Sequence, residues 1–97
     1  MNLQHVPGKK VGDIKIFALS TCPWCKKVKN LLDDLGIDYY FTDVDQLSGD
    51  ERNEALTVVR KWNPNSSFPT IVINDNQCIV GFQEDKIREA VKAGAQI

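Results

Sequence analysis

The 97-residue chain has one histidine, three cysteines, no excess of charge of either sign and no long apolar run, and each scarcity removes a class of function. Twelve Lys and Arg stand against thirteen Asp and Glu, a formal charge of -1, so no basic field exists to hold nucleic acid or an anionic lipid surface. No apolar stretch approaches the roughly 20 residues of a membrane span. Met1 to Val11 also lacks the continuous apolar segment of a signal peptide, and the expected location is the cytoplasm. Three cysteines are an odd count and too few to staple a small secreted domain, whereas closely spaced cysteines in a reducing compartment do redox chemistry or bind metal. There is no internal repeat and no low-complexity tract. A chain of this length holds one modest core, burying about 60 to 65% of its unfolded surface, so a single domain and a monomer are expected.

What is present begins with a polar lead, residues 1–13, containing Pro7, Gly8, Lys9, Lys10 and Gly12, which is expected to be loose at its start. The patterned domain is expected to span 14–97. Ile14 to Leu19 is a short run of branched and aromatic residues that reads as a buried strand. Val28, Leu31, Leu32 and Leu35 then recur at helical spacing, with Pro23 suited to the first turn and Gly36 to the stop. Asp38 to Val44 reads as a second strand, which completes a right-handed βαβ unit with parallel strands. Ser48 and Glu51 form a capping box ahead of a second helix carrying Ala55, Leu56, Val59 and Trp62. After the breaker cluster Asn63 to Ser67, the runs Thr70–Ile73 and Cys78–Val80 flank a polar turn and predict a hairpin. A last helix from Gln83 presents Ile87, Ala90 and Val91 on one face, with Gly94 as its expected stop.

One constellation carries chemistry: Cys22-Pro23-Trp24-Cys25, where the first strand ends and the first helix begins. At a helix N-terminus, unpaired backbone N–H groups and the positive end of the dipole favour a thiolate over a thiol, so Cys22 is placed to attack a disulfide. Lys26 and Lys27 add positive charge beside it and are candidate thiolate stabilisers. Cys25, three positions on and one turn deeper, can reach a mixed disulfide held on Cys22 and expel the partner. Pro23 stiffens the turn, and Trp24, opposite the buried face Val28, Leu31 and Leu35, offers an outward aromatic surface for a docked thiol compound or peptide. Zinc is the competing use of a Cys-x-x-C pair, but only Cys78 and His5 remain as further ligands and neither lies at metal spacing, so no metal is expected. Cys78 reads as a small buried hydrophobe in the last strand, and His5 as a surface histidine without a partner pattern.

A strand, C-P-x-C at a helix start, a second βα unit, then Phe68-Pro69-Thr70 leading into a hairpin and a final helix together resemble the glutaredoxin branch of the thioredoxin fold, over nearly the whole chain from Ile14 to Gly94. The resemblance implies an α/β fold with a four-stranded mixed sheet flanked by three helices. It also implies a cis bond at Pro69, which would present the backbone of Phe68 beside Cys22 to an extended thiol substrate, with Thr70 following. Family members that use glutathione carry a lysine three residues before the first cysteine, where this chain has Leu19, and a Gly-Gly-acid segment before the last helix, where it has Gly81-Phe82-Gln83-Glu84-Asp85. Gly81, Phe82, Glu84 and Asp85 are therefore candidate substrate contacts. Acidic residues at a helix start are equally good capping. Gly81-Phe82-Gln83 is closer to the redoxins that take electrons from thioredoxin reductase and supply ribonucleotide reductase.

The leading expectation is a dithiol/disulfide oxidoreductase with Cys22 as nucleophile and Cys25 as resolving cysteine. It would reduce disulfide-containing proteins or mixed disulfides with no bound cofactor, drawing on an external donor, thioredoxin reductase or glutathione. Two alternatives are an iron-sulfur cluster carrier sharing a cluster between two protomers through Cys22, which Pro23 and Trp24 disfavour, and a redox-sensitive binding module.

Overall fold

In a computed structural model, residues 3–95 are described; positions 1–2 of the lead and 96–97 of the expected domain lie outside them. The elements run β1 (Gln4–Val6), β2 (Ile14–Ala18), α1 (Pro23–Asp34), β3 (Tyr39–Asp43), a 3-10 turn (Val44–Gln46), α2 (Gly49–Trp62), β4 (Thr70–Ile73), β5 (Gln77–Val80) and α3 (Glu84–Ala95). They form one sheet in the order β1-β3-β2-β4-β5. β2 is central, parallel to β3 and antiparallel to β4, and β4 and β5 close the hairpin through Asn74 and Asp75, both at positive φ. Strand alternation sorts the core into two layers. Ile14, Ile16 and Ala18 of β2 join Ile71 and Ile73 of β4 against Cys25, Val28, Leu31 and Leu32 of α1 and Ile87 and Val91 of α3. Phe17 and Val72 face the other way, against Ala55 and Val59 of α2.

The sheet has five strands, one more than expected, because the lead segment is not loose. Gln4, His5 and Val6 pair antiparallel with Phe41, Tyr40 and Tyr39. Three polar-to-apolar residues are too short a run to show a strand period, and tertiary bonds hold them instead. The His5 ring stacks on Tyr40 with centroids 4.6 Å apart, and its Nε2 lies 2.7 Å from Asp38 Oδ2. Lys9 N–H donates to the Gly36 carbonyl at 2.7 Å, and a Cβ at Gly8 would meet the Ile37 carbonyl carbon at 2.6 Å, so only glycine admits this approach.

Four local expectations change as well. Leu35 is exposed and serves as the C-cap of α1; the buried face is Cys25, Val28, Leu31 and Leu32. Ser48 is the N-cap of α2, yet its hydroxyl caps nothing, because Gly49 at φ +58 turns the chain away from the geometry a capping box requires. Gly94 does not stop α3, which continues to Ala95; a helical glycine costs only about 1 kcal/mol. Cys78 is half-buried on β5 rather than fully enclosed, since an edge strand is covered on one side only.

Candidate functional site

The C-terminal end of β2 delivers Cys22 to the start of α1. Cys22 is the N-cap, with φ -84 and ψ 116, and Pro23 takes the first helical position, where a missing N–H is harmless. The Cys25 backbone N–H donates to Cys22 Sγ at 3.2 Å, so the sulfur does what a serine or aspartate oxygen does at other helix starts. Cys22 is partly exposed and Cys25 has no exposed surface. Burial, above all, pushes the Cys25 thiol up to about 12; its contact with Cys22 adds to this, while the Leu19 backbone and the Lys29 ammonium pull it back. The two cysteines thus differ in access as the roles of attacking and resolving thiol require.

The turn into the motif is pinned from α2's side. Ser20 N–H donates to Asp45 Oδ1 at 2.8 Å, the Ser20 hydroxyl donates to Asp45 Oδ2, and Gln46 Nε2 donates to Ser20 Oγ at 3.2 Å. These donors, the Ser20 hydroxyl first, hold the Asp45 carboxyl below the ordinary carboxylate range. Leu19 packs partly buried against the α2 layer, and its carbonyl accepts from the Cys22 N–H at 3.1 Å.

The Phe68–Pro69 bond is cis, as the family resemblance implied. Pro69 and Thr70 are buried, and Phe68 packs partly buried against both core layers. Phe17 lies opposite Thr70 in the sheet, which brings this loop to the end of β2 from which the cysteine motif departs. The Gly81 N–H donates to the Pro69 carbonyl at 2.9 Å, and this bond draws Gly81 and Phe82 to the same end. Cys22, Phe68 and Phe82 all border the α1/α3 layer of the core. Trp24 is 54% exposed, on the outward side as expected, and stacks on Phe82 with centroids 6.2 Å apart.

The lysines divide. Lys26 is exposed, and the Lys27 ammonium lies 4.5 Å over the Trp24 ring. Neither forms a hydrogen bond or ion pair to a sulfur among the described contacts. Glu84 and Asp85 are exposed at the start of α3; Glu84 accepts from Arg88 Nε at 2.8 Å and, with Lys27, Phe82 and Arg88, borders a shallow recess of about 240 Å³. Cys78 lies apart from the motif, beside Lys86 and Ala90 of α3, and burial pushes its thiol up. Among the described residues no group of three or more His, Cys, Asp or Glu is arranged to hold a metal.

Two contributors escaped sequence reasoning. Asn63, read only as a helix breaker, is 4% exposed and donates from Nδ2 to Ser67 O at 3.1 Å, Ser67 Oγ at 3.0 Å and Thr70 Oγ1 at 3.2 Å, holding the loop that carries Pro69. Lys29 is paired at 2.9 Å to Asp43 of β3, which lies opposite Ala18 at the end of β2; its position four residues after Cys25 was the available signal.

A family model described as glutaredoxin matches residues 14–79. The chain belongs to the glutaredoxin family. Among curated relatives of this glutaredoxin is a glutaredoxin-like 8.6 kDa protein in the rubredoxin operon of Clostridium pasteurianum, 37% identical over 79 residues, covering 81% of this chain and 97% of that protein. Solved structures include the glutaredoxin of Methanosarcina mazei Go1, 50% identical with a TM-score of 0.86, covering 92% of this chain and 86% of that one. Methanoredoxin of Methanosarcina acetivorans is 49% identical with a TM-score of 0.84, covering 87% and 88%. Family and fold together make this glutaredoxin a thiol-disulfide oxidoreductase in the broad sense. No helix among its described residues is long and apolar enough to cross a membrane.

Proposed function

We propose that this glutaredoxin is a cytoplasmic dithiol donor that reduces protein disulfides and mixed disulfides through Cys22 and Cys25. The observation that carries the reading is the Cys25 N–H aimed at the partly exposed Cys22 sulfur, with the second sulfur buried one turn deeper. The Cys22 thiolate attacks one sulfur of a substrate R–S–S–R′, forming Cys22–S–S–R and expelling R′S⁻, which takes up a proton. Cys25 then loses its proton and attacks Cys22 Sγ. The bond to R breaks, RS⁻ is protonated, and the protein is left oxidised as the Cys22–Cys25 disulfide while the substrate has gained two electrons. An external donor returns the two electrons and two protons, so the cycle needs no bound cofactor. In this reading the backbone of Phe68, set by the cis bond to the buried Pro69 and followed by Thr70, flanks one side of the approach to Cys22, and Gly81, Phe82 and Trp24 the other.

The placement of Leu19 in the α2 layer leaves an apolar side chain at the position where the glutathione-using pattern has a cation. This favours a protein donor such as thioredoxin reductase over glutathione. The test is anaerobic reduction of the oxidised protein, followed by thiol release, with thioredoxin reductase and NADPH in one cell and glutathione with its reductase in another. Faster reduction in the first supports the reading, and faster reduction in the second reverses the choice of donor. Cys22→Ser is expected to abolish reduction of a model protein disulfide and Cys25→Ser to stall at a mixed disulfide. Full activity of the Cys22→Ser protein would refute the dithiol mechanism itself.

A further inference from the structure

Resolution requires a thiolate at Cys25, a sulfur with no exposed surface and a thiol that burial holds well above the ordinary range. Three lysines follow the motif within one turn of helix, and only one of them turns inward. Lys26 is exposed and Lys27 lies over Trp24, whereas the Lys29 side chain is 19% exposed and sits 4.1 Å over the Phe41 ring, with its ammonium 2.9 Å from Asp43 Oδ1. The Asp43 side chain is itself only 17% exposed, and Asp43 lies opposite Ala18, at the end of β2 that leads into the motif. Spacing of four residues puts Lys29 next to Cys25 along α1. A pair this enclosed is screened little by salt, and its desolvation cost is not offset by a large gain in stability. Its place one helical turn from Cys25 and at the end of β2 that leads into the motif calls for another role.

Resting on the dithiol reading above, we propose that Lys29, held by Asp43, is a positioning residue for the resolving step, its ammonium supporting the thiolate of Cys25 as that sulfur attacks the mixed disulfide on Cys22. The charges acting on Cys25 are few. Cys22 opposes ionisation of Cys25 while it is a free thiolate, and the Leu19 backbone and Lys29 favour it. The other members of its cluster, including Ile16 and Ala18 of β2, Val28 of α1, Ile71 of β4 and Ile87 of α3, are apolar, and the Tyr39 hydroxyl is engaged by Asp33. Once Cys22 is bonded to substrate it carries no charge, and Lys29 is left as the ionised side chain acting on Cys25. The step balances without a further reagent: the Cys25 proton leaves, the new S–S bond forms, and the departing RS⁻ takes up a proton.

Removing the ammonium raises the Cys25 pKa. Each unit cuts the thiolate fraction tenfold at neutral pH but strengthens the nucleophile about threefold, since nucleophilicity rises with a Brønsted slope of about 0.4–0.5, so resolution slows about threefold to fourfold per unit. The experiment mixes the reduced protein, in a Cys78→Ala background, with an aromatic disulfide whose thiolate is coloured. A first release of colour reports attack by Cys22, and a second reports resolution by Cys25. Lys29→Met is expected to leave the first phase within about twofold, to slow the second in proportion to the displacement of its pH profile, which moves upward, with Lys29→Arg restoring both. Asp43→Asn, which keeps the ammonium and removes its counter-charge, is expected to displace the second-phase profile downward, and stands in if Lys29→Met fails to fold. An unmoved second-phase pH profile in these variants, or equal slowing of both phases, overturns the proposal. Absence of the second phase in the unaltered protein would instead overturn the dithiol reading on which it rests.

Discussion

Asn63→Ala tests whether the loop carrying Pro69 is held by one buried amide. Its two N–H donors are shared among three acceptors, Ser67 O, Ser67 Oγ and Thr70 Oγ1, between 3.0 and 3.2 Å away. At most two of these bonds are well made at once, and each contributes about 1 kcal/mol net, so the substitution is expected to cost about 2 kcal/mol. Ser67 O keeps its bond from the Thr70 hydroxyl at 2.8 Å, which limits the further penalty of an unpaired acceptor. For a domain near 100 residues, about 2 kcal/mol lowers the melting midpoint by about 8–16 °C. Asn63→Leu, which refills the volume without a donor, is expected to be no milder. Urea unfolding gives the free energy, and steady-state reduction of a protein disulfide gives KM, expected to rise more than kcat falls because the loop held by Asn63 carries Phe68, which the proposed function sets beside the substrate approach. A change in unfolding free energy below about 0.5 kcal/mol, typical of an ordinary surface substitution, would refute this assignment of the loop's support.

Trp24→Ala removes an exposed ring whose stack on Phe82 contributes at most about 0.5–1.5 kcal/mol, so urea stability should change little while KM for a protein disulfide rises several-fold; an unchanged KM removes Trp24 from the docking surface. Asp38 is held below its ordinary value of 3.8 first by the His5 hydrogen bond, with the Gly8 N–H also contributing. Because its folded pKa is depressed, its contribution is complete above the ordinary value and is lost as pH falls through the lower folded one. Urea midpoints should drop as pH falls below the ordinary value of 3.8 in the parent protein and less steeply in Asp38→Asn, and parallel curves would count against it. Cys78→Ala should leave disulfide reduction unchanged, and Cys78 should be alkylated at neutral pH far more slowly than Cys22, since burial pushes its thiol up; equal alkylation rates would contradict that placement.

Much of the fold is legible because local chemistry and tertiary packing agree. Pro23 at the helix start, the spacing of Val28, Leu31 and Leu32, and the branched runs at Ile14 and Thr70 each point to the element that forms. The placement of the two cysteines follows from helix geometry alone, since an N-cap sulfur is reached by the backbone N–H three residues on and Cys25 falls on the inward face. Readings failed where local pattern and context disagree. Leu35 has the spacing of a core residue but falls at the C-cap, just past the end of α1, and Ser48-x-x-Glu51 has the letters of a capping box on a backbone that Gly49 bends away.

The order and type of the elements from Ile14 onward, and the placement of Cys22 and Cys25 one helical turn apart, could be read from the residues because each depends on a pattern local to its own segment. Tertiary structure alone decided the rest. The fifth strand depends on a bond from His5 to Asp38 across 33 positions, the motif's loop on Ser20 and Asp45 across 25, and the inward turn of Lys29 on Asp43 across 14. No local period records such pairs: a lone histidine, a serine in a turn or one lysine among three is indistinguishable from surface until the sheet brings its partner within hydrogen-bond reach.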